Sequence, residues 1–103
     1  YGATPIVIVA NNGRYGTIRM HQERHYPGRV SGTDLFNPDL PDLVRAYGGH
    51  GELVERDEDF APAFERARLS GRLSVIELRL DPEALTTGAT LTQTRDAALR
   101  ARA

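Results

Sequence analysis

Ile6-Val7-Ile8-Val9-Ala10 runs without interruption into Asn11-Asn12-Gly13-Arg14-Tyr15-Gly16-Thr17-Ile18-Arg19. A continuous β-branched run of this kind reads as a parallel strand buried on both faces. In an open α/β sheet, ligands bind just beyond the carboxyl ends of such strands. Two carboxamides, two glycines and the start of a helix stand at that place. Asn offers a neutral oxygen to a hard cation, and glycine lets the backbone approach a phosphate closely. The stretch therefore points to a metal-assisted phosphate site.

Working outward, the first strand spans about Pro5–Ala10, and a helix runs from Tyr15 or Gly16 to about Glu23. Pro27-Gly28 and Ser31-Gly32 mark the stretch from Arg24 to Phe36 as loop. A second helix covers about Pro41–Tyr47, with Leu40, Leu43, Val44 and Tyr47 on one face. Its start is open between an Asn37 cap with Pro38 at the first helical position and a later start that accommodates Pro41. Gly48-Gly49 ends it. A short strand over about Glu52–Glu55 follows. Asp57 or Asp59 then caps a third helix, whose inner face is Phe60, Phe64 and Ala67 and which Gly71 stops. Leu43, Val44, Phe60 and Phe64 are expected to pack against the sheet. The last strand, Leu73 to Leu80, carries Ser74, Ile76, Leu78 and Leu80 on one face, while Glu77 and Arg79 on the other suggest a place near the sheet edge. This strand–helix–helix–strand–helix–strand order is α/β, with three parallel strands. The Thr- and Ala-rich segment 83–103 reads as a C-terminal tail, with a weak helix over Asp96–Ala103.

Composition narrows the functional classes. The 103 residues make at most one domain, with 40% apolar and 26% charged residues, as in ordinary globular chains. A formal net charge of -1 gives no electrostatic argument for nucleic acid or an anionic membrane. Neither a membrane-spanning apolar run nor a signal-peptide pattern is present. The absence of Cys removes disulfides and thiolate metal sites, and fits a reducing compartment such as the cytoplasm. All 13 basic residues are Arg, so no lysine of this chain forms a Schiff base. His25 and His50 have no carboxylate spacing that builds a metal site. Asp57-Glu58-Asp59 and Arg66/Arg68 read as solvated faces and caps.

The segment Asn11-Asn12-Gly13-Arg14-Tyr15-Gly16-Thr17-Ile18-Arg19 after its strand resembles the closing half of the thiamine-diphosphate motif. That motif belongs to the acetolactate synthase and benzoylformate decarboxylase superfamily. It opens with Gly-Asp-Gly, which none of the ten residues before Asn11 supplies. The resemblance continues through Leu35-Phe36-Asn37-Pro38-Asp39-Leu40, Tyr47-Gly48-Gly49-His50-Gly51, and from Gly71 to Asp81. It implies a fragment of a doubly wound, Rossmann-like thiamine-diphosphate-binding domain, with residues 1–82 its C-terminal part and the N-terminal half missing.

By this resemblance the cofactors are thiamine diphosphate and Mg²⁺. The Asn12 side-chain oxygen and the Arg14 backbone carbonyl are two metal ligands. Asn12, Arg14, Tyr15, Gly16 and Thr17 form the cofactor-binding set, the last three opening a helix whose backbone donors suit a diphosphate. Ile18 and His21 face the substrate, a 2-oxo acid, and a neutral imidazole at His21 can donate to its carboxylate. The acetolactate synthases carry a bulky aromatic where His21 stands, so their substrate preference does not transfer. The cofactor supplies decarboxylation or carboligation chemistry. The glutamate that activates it lies in another domain, so no catalytic residue is assigned here. The full-length protein is expected to be a homodimer or homotetramer, and the fragment alone to be inactive. A chain cut before Tyr1 should expose apolar surface beside Ile6–Ala10 and self-associate. The alternatives are a non-enzymatic truncated remnant that binds no cofactor, and an unrelated α/β binding module with an accidental Asn-Asn turn.

Overall fold

A computed structural model describes residues 1–103, which divide into two compact units. The first comprises Tyr1–Asn11 with Asn37–Leu80, and the second Asn12–Phe36 with Asp81–Ala103. No helix is long and apolar enough to cross a membrane.

The first unit is a three-stranded parallel sheet of β1 (Ile6–Asn11), β2 (His50–Val54) and β3 (Ser74–Arg79) in the order β1-β3-β2. Ile8 and Glu52 flank Ile76, so the three strands share one register. The expected parallel α/β sheet is present, with two strand placements corrected. β3 is central rather than near an edge: it pairs on both sides, and Glu77 is buried despite its charge. β1 is not covered on both faces. It pairs with β3 alone, and Val7 and Ile8 stay 43% and 45% exposed.

Helix α2 (Leu40–Ala46) resolves the ambiguous start. The Asp39 carboxylate accepts the Asp42 N–H at 2.9 Å, leaving Pro41 in the first turn, where a missing N–H costs no helical bond. Half of the expected face packs: Leu40 and Val44 are partly buried beside the buried Pro41, while Leu43 and Tyr47 are exposed. A Cβ at Gly51 would stand 2.4 Å from the Pro41 carbonyl oxygen, so α2 rests backbone-to-backbone on β2 where only glycine fits.

A 3-10 turn at Asp57–Asp59 leads into α3 (Phe60–Ser70), and neither element has the expected aspartate side-chain cap. The core is Val54, Ala63, Ala67 and Ile76, flanked by Ile6, Phe60 and Leu78. Ala63 takes the inward place expected of Phe64, which is partly exposed with its ring centroid 6.0 Å from that of Phe60. Gly71 ends α3 in the left-handed region, at φ 64°. Ser74, fully buried, donates to the Arg72 carbonyl at 3.0 Å.

In the second unit α1 (Gly16–His25) packs against α4 (Leu91–Arg102). The tail helix starts five residues earlier than its apolar pattern suggests because Thr90 and Gln93 form a capping box. Thr90 N–H donates to Gln93 Oε1 at 2.8 Å, and Gln93 N–H donates to Thr90 Oγ1 at 3.1 Å. Leu91 is buried, and the Arg102 guanidinium donates to the His25 carbonyl.

Candidate cofactor site

The two carboxamides after β1 have different partners. Asn11 Oδ1 accepts from Asn37 Nδ2 at 3.1 Å within the first unit, which gives Asn37 a role that the sequence did not disclose. Asn12 opens the second unit, and its Oδ1 accepts the Arg14 N–H at 3.3 Å, a long contact that leaves lone-pair capacity. Gly13 adopts φ 71°, where other residues are strained.

An antiparallel bridge then fixes Arg14 opposite Asp34. Its bonds come from the neighbouring residues: Leu35 N–H donates to the Gly13 carbonyl and Tyr15 N–H to the Thr33 carbonyl, both at 2.9 Å. In such a wide pair the N–H and C=O of the central residue point away from the opposing strand. The Arg14 carbonyl therefore faces the same side as its N–H, which is the side of the Asn12 oxygen.

Helix α1 begins with no side-chain cap, so no capping side chain meets its first N–H groups, which have no partner within the helix. The Tyr15 N–H is already engaged by Thr33, which leaves Gly16 and Thr17 as the backbone donors of the expected set. Gly16 is tightly enclosed: a Cβ there would lie 2.7 Å from Leu85 Cδ2 and 2.8 Å from Asn12 Nδ2. Arg14, Tyr15, Gly16, Thr17 and Ile18 line a cavity of about 280 Å³. Arg14 Nε is a buried side-chain nitrogen without a partner in the protein. Two oxygens turned to one side, an uncapped helix start and an orphaned guanidinium nitrogen form a donor set that fits a metal-bound phosphate group.

Ile18 and His21 line a groove of about 540 Å³ together with Gln22, His25, Tyr26 and Arg102. The His21 and His25 rings stack, with centroids 6.1 Å apart and planes within 7°. Thr33 and Arg19 were not singled out from the sequence, yet both bond to the segment that holds Arg14. Arg19 reaches Thr33 and Asp34, 14 and 15 positions along the chain, which local patterns do not reveal. His50 has a structural setting in the first unit, with Nε2 2.6 Å from Glu52 Oε2, while Arg66 donates to Glu52 Oε1 at 2.7 Å. Burial opposes ionisation of Glu52, but hydrogen bonds from Arg66 and His50 outweigh it and hold the carboxyl below its usual range.

Comparison with known proteins gives the family. Residues 1–78 match the family described as thiamine pyrophosphate enzyme, C-terminal TPP binding domain. The chain is 35% identical over 77 residues to a probable acetolactate synthase of Mycobacterium bovis and, equally, to an acetolactate synthase large subunit of Mycobacterium tuberculosis. Each match covers 75% of this chain and 14% of the relative. An acetolactate synthase large subunit of Parasynechococcus marenigrum is 37% identical over 65 residues, 55% of this chain and 10% of that protein. The chain thus spans about one-seventh of the length of the first two relatives. It belongs to the thiamine pyrophosphate enzymes, within their C-terminal cofactor-binding domain.

Proposed function

We propose that this chain is the metal- and diphosphate-binding part of a thiamine-diphosphate- and Mg²⁺-dependent enzyme acting on 2-oxo acids by decarboxylation or carboligation, as acetolactate synthases do. The observation that carries the reading is the shared orientation of Asn12 Oδ1 and the Arg14 carbonyl beside the uncapped start of α1. Both are neutral oxygens, suited to a hard cation that takes few protein ligands. The Gly16 and Thr17 N–H groups face the position of a diphosphate at the helix N-terminus. The buried Arg14 Nε adds a donor for an anionic oxygen. Thiamine diphosphate, when bound, supplies the carbanion chemistry at the carbonyl carbon of the substrate.

Ile18 and His21 lie further along α1 and line its groove, where an imidazole N–H donates to a substrate carboxylate. The third metal ligand and the cofactor-activating glutamate come from segments outside these residues. On this reading the 103 residues alone do not turn over substrate. The full-length protein is a cytoplasmic homodimer or homotetramer. The test is calorimetry of thiamine diphosphate binding to the full-length protein with and without Mg²⁺, followed by assay of 2-oxo acid consumption. Tight binding only with Mg²⁺, and consumption only with both, is expected. Metal-independent binding would overturn the metal reading, and no binding would favour a non-enzymatic remnant.

A further inference from the structure

We infer that Arg19 and Thr33 are positioning residues that aim the Arg14 carbonyl, so that they set metal affinity without touching the metal. This rests on the reading of Arg14 as a metal ligand. A trans peptide is planar, with its C=O and N–H pointing in opposite directions. Arg14 C=O and Tyr15 N–H belong to one such peptide, and the chain has no cis bonds. The Tyr15 N–H donates to the Thr33 carbonyl at 2.9 Å, so that bond fixes where the Arg14 oxygen points.

Thr33 is held from several sides. It is 3% exposed, and its hydroxyl accepts from Arg19 Nε at 2.7 Å and donates to Gln22 Oε1 at 3.1 Å. Gln22 Nε2 donates in turn to the Ser31 carbonyl at 2.8 Å. The backbone N–H of residue 19 also donates to the Tyr15 carbonyl at 2.9 Å, the first helical bond of α1, which does not depend on the side chain. Both peptides flanking Tyr15 are thereby tied, one to the Thr33 carbonyl and one to the backbone of Arg19. The remaining arm, Arg19 Nη2 to Asp34 Oδ1 at 2.5 Å, ends on a carboxylate whose side chain is 80% exposed, so water can replace it. The more enclosed Arg19–Thr33 bond is the decisive one. Losing it frees the Thr33 carbonyl to drift, and the Arg14 oxygen with it.

The test uses the full-length protein, titrated with Mg²⁺ at saturating thiamine diphosphate in a calorimeter, with thermal unfolding followed in parallel. Thr33→Val keeps the side-chain shape and removes the hydroxyl. It should raise the half-saturating Mg²⁺ concentration about five- to tenfold, the effect of one net hydrogen bond's worth of the two that the hydroxyl makes being felt at the Arg14 carbonyl. The metal-free protein should melt a few degrees lower, about what two lost side-chain bonds imply, and kcat should recover at high Mg²⁺. Thr33→Ser should restore wild-type Mg²⁺ affinity, and Arg19→Gln should reproduce the Thr33→Val effect, which keeps the test decisive if one variant folds poorly. Unchanged Mg²⁺ affinity in both Thr33→Val and Arg19→Gln would overturn the proposal while leaving the metal site intact. A loss of stability without a specific Mg²⁺ effect would reduce the pair to a structural role and overturn it likewise. Failure of the wild type to bind thiamine diphosphate with Mg²⁺ would instead bring down the reading beneath it, and this proposal with it.

Discussion

At the scale of single residues, Gly16 separates close approach from mere flexibility. Its backbone is not in the left-handed region, so its role is space: any Cβ there meets Asn12 Nδ2 at 2.8 Å and Leu85 Cδ2 at 2.7 Å. Gly16→Ala should therefore displace the Asn12 amide and weaken Mg²⁺-dependent cofactor binding, read by calorimetry on the full-length protein. Leu85→Ala added to it should relieve one contact and restore binding only in part. His21 makes a different prediction, because it lies beyond the cofactor-binding set and lines the groove with Ile18. His21→Ala should change the ranking of 2-oxo acids by kcat/KM while leaving thiamine diphosphate affinity within about threefold, less than half a tenfold step on a free-energy scale. The candidate residues could be named from the sequence because they lie close together, from the end of one strand through a turn into one helix. Arg19 and Thr33 could not, since nothing local connects a helical arginine to a threonine in the following loop.

Among the elements, the contrast between β1 and β3 shows where pattern reading stops. Alternation in β3 suggested a half-covered edge, yet the strand is central because β1 and β2 pair on its two sides, a topological fact that the residues of β3 do not encode. On α3, Phe60 and Ala67 keep their expected inward places, while Ala63 takes the place expected of Phe64. Between β2 and α3, the Arg66–Glu52–His50 group makes stability depend on pH. Because the carboxyl of Glu52 is held below its usual 4.5, its contribution is present at pH above that value. It is lost as pH falls through the lowered folded-state value. Denaturant unfolding of wild type and Glu52→Gln should thus differ most near neutral pH and converge in acid. Curves that stay parallel down to pH 3 would remove Glu52 from the account.

For the whole molecule, the parallel α/β class was readable from the order of apolar runs and turns, and the family match over residues 1–78 agrees with it. What the pattern did not disclose was the division into two units and the length of the tail helix, which depends on a Thr90–Gln93 cap rather than on apolar spacing. The free edge of β1, with Val7 and Ile8 exposed, predicts that these 103 residues made alone self-associate, with sedimentation showing mass rising with concentration. A monodisperse monomer at high concentration would contradict it. The central claim is that Asn12 gives its side-chain oxygen, and Arg14 its backbone carbonyl, to the metal. Calorimetric titration of thiamine diphosphate in the presence of Mg²⁺ into full-length Asn12→Ala and Arg14→Ala tests it most directly. Asn12→Ala should lose about ten- to a hundredfold in affinity with its fold intact, taking a charge-assisted hydrogen bond as the guide. Arg14→Ala keeps the carbonyl and removes only the guanidinium donor, so it should lose about tenfold, the low end of the charge-assisted range, and less than Asn12→Ala. Wild-type affinity in Asn12→Ala together with collapse in Arg14→Ala would contradict the metal assignment and leave the guanidinium, not the two oxygens, as what holds the cofactor.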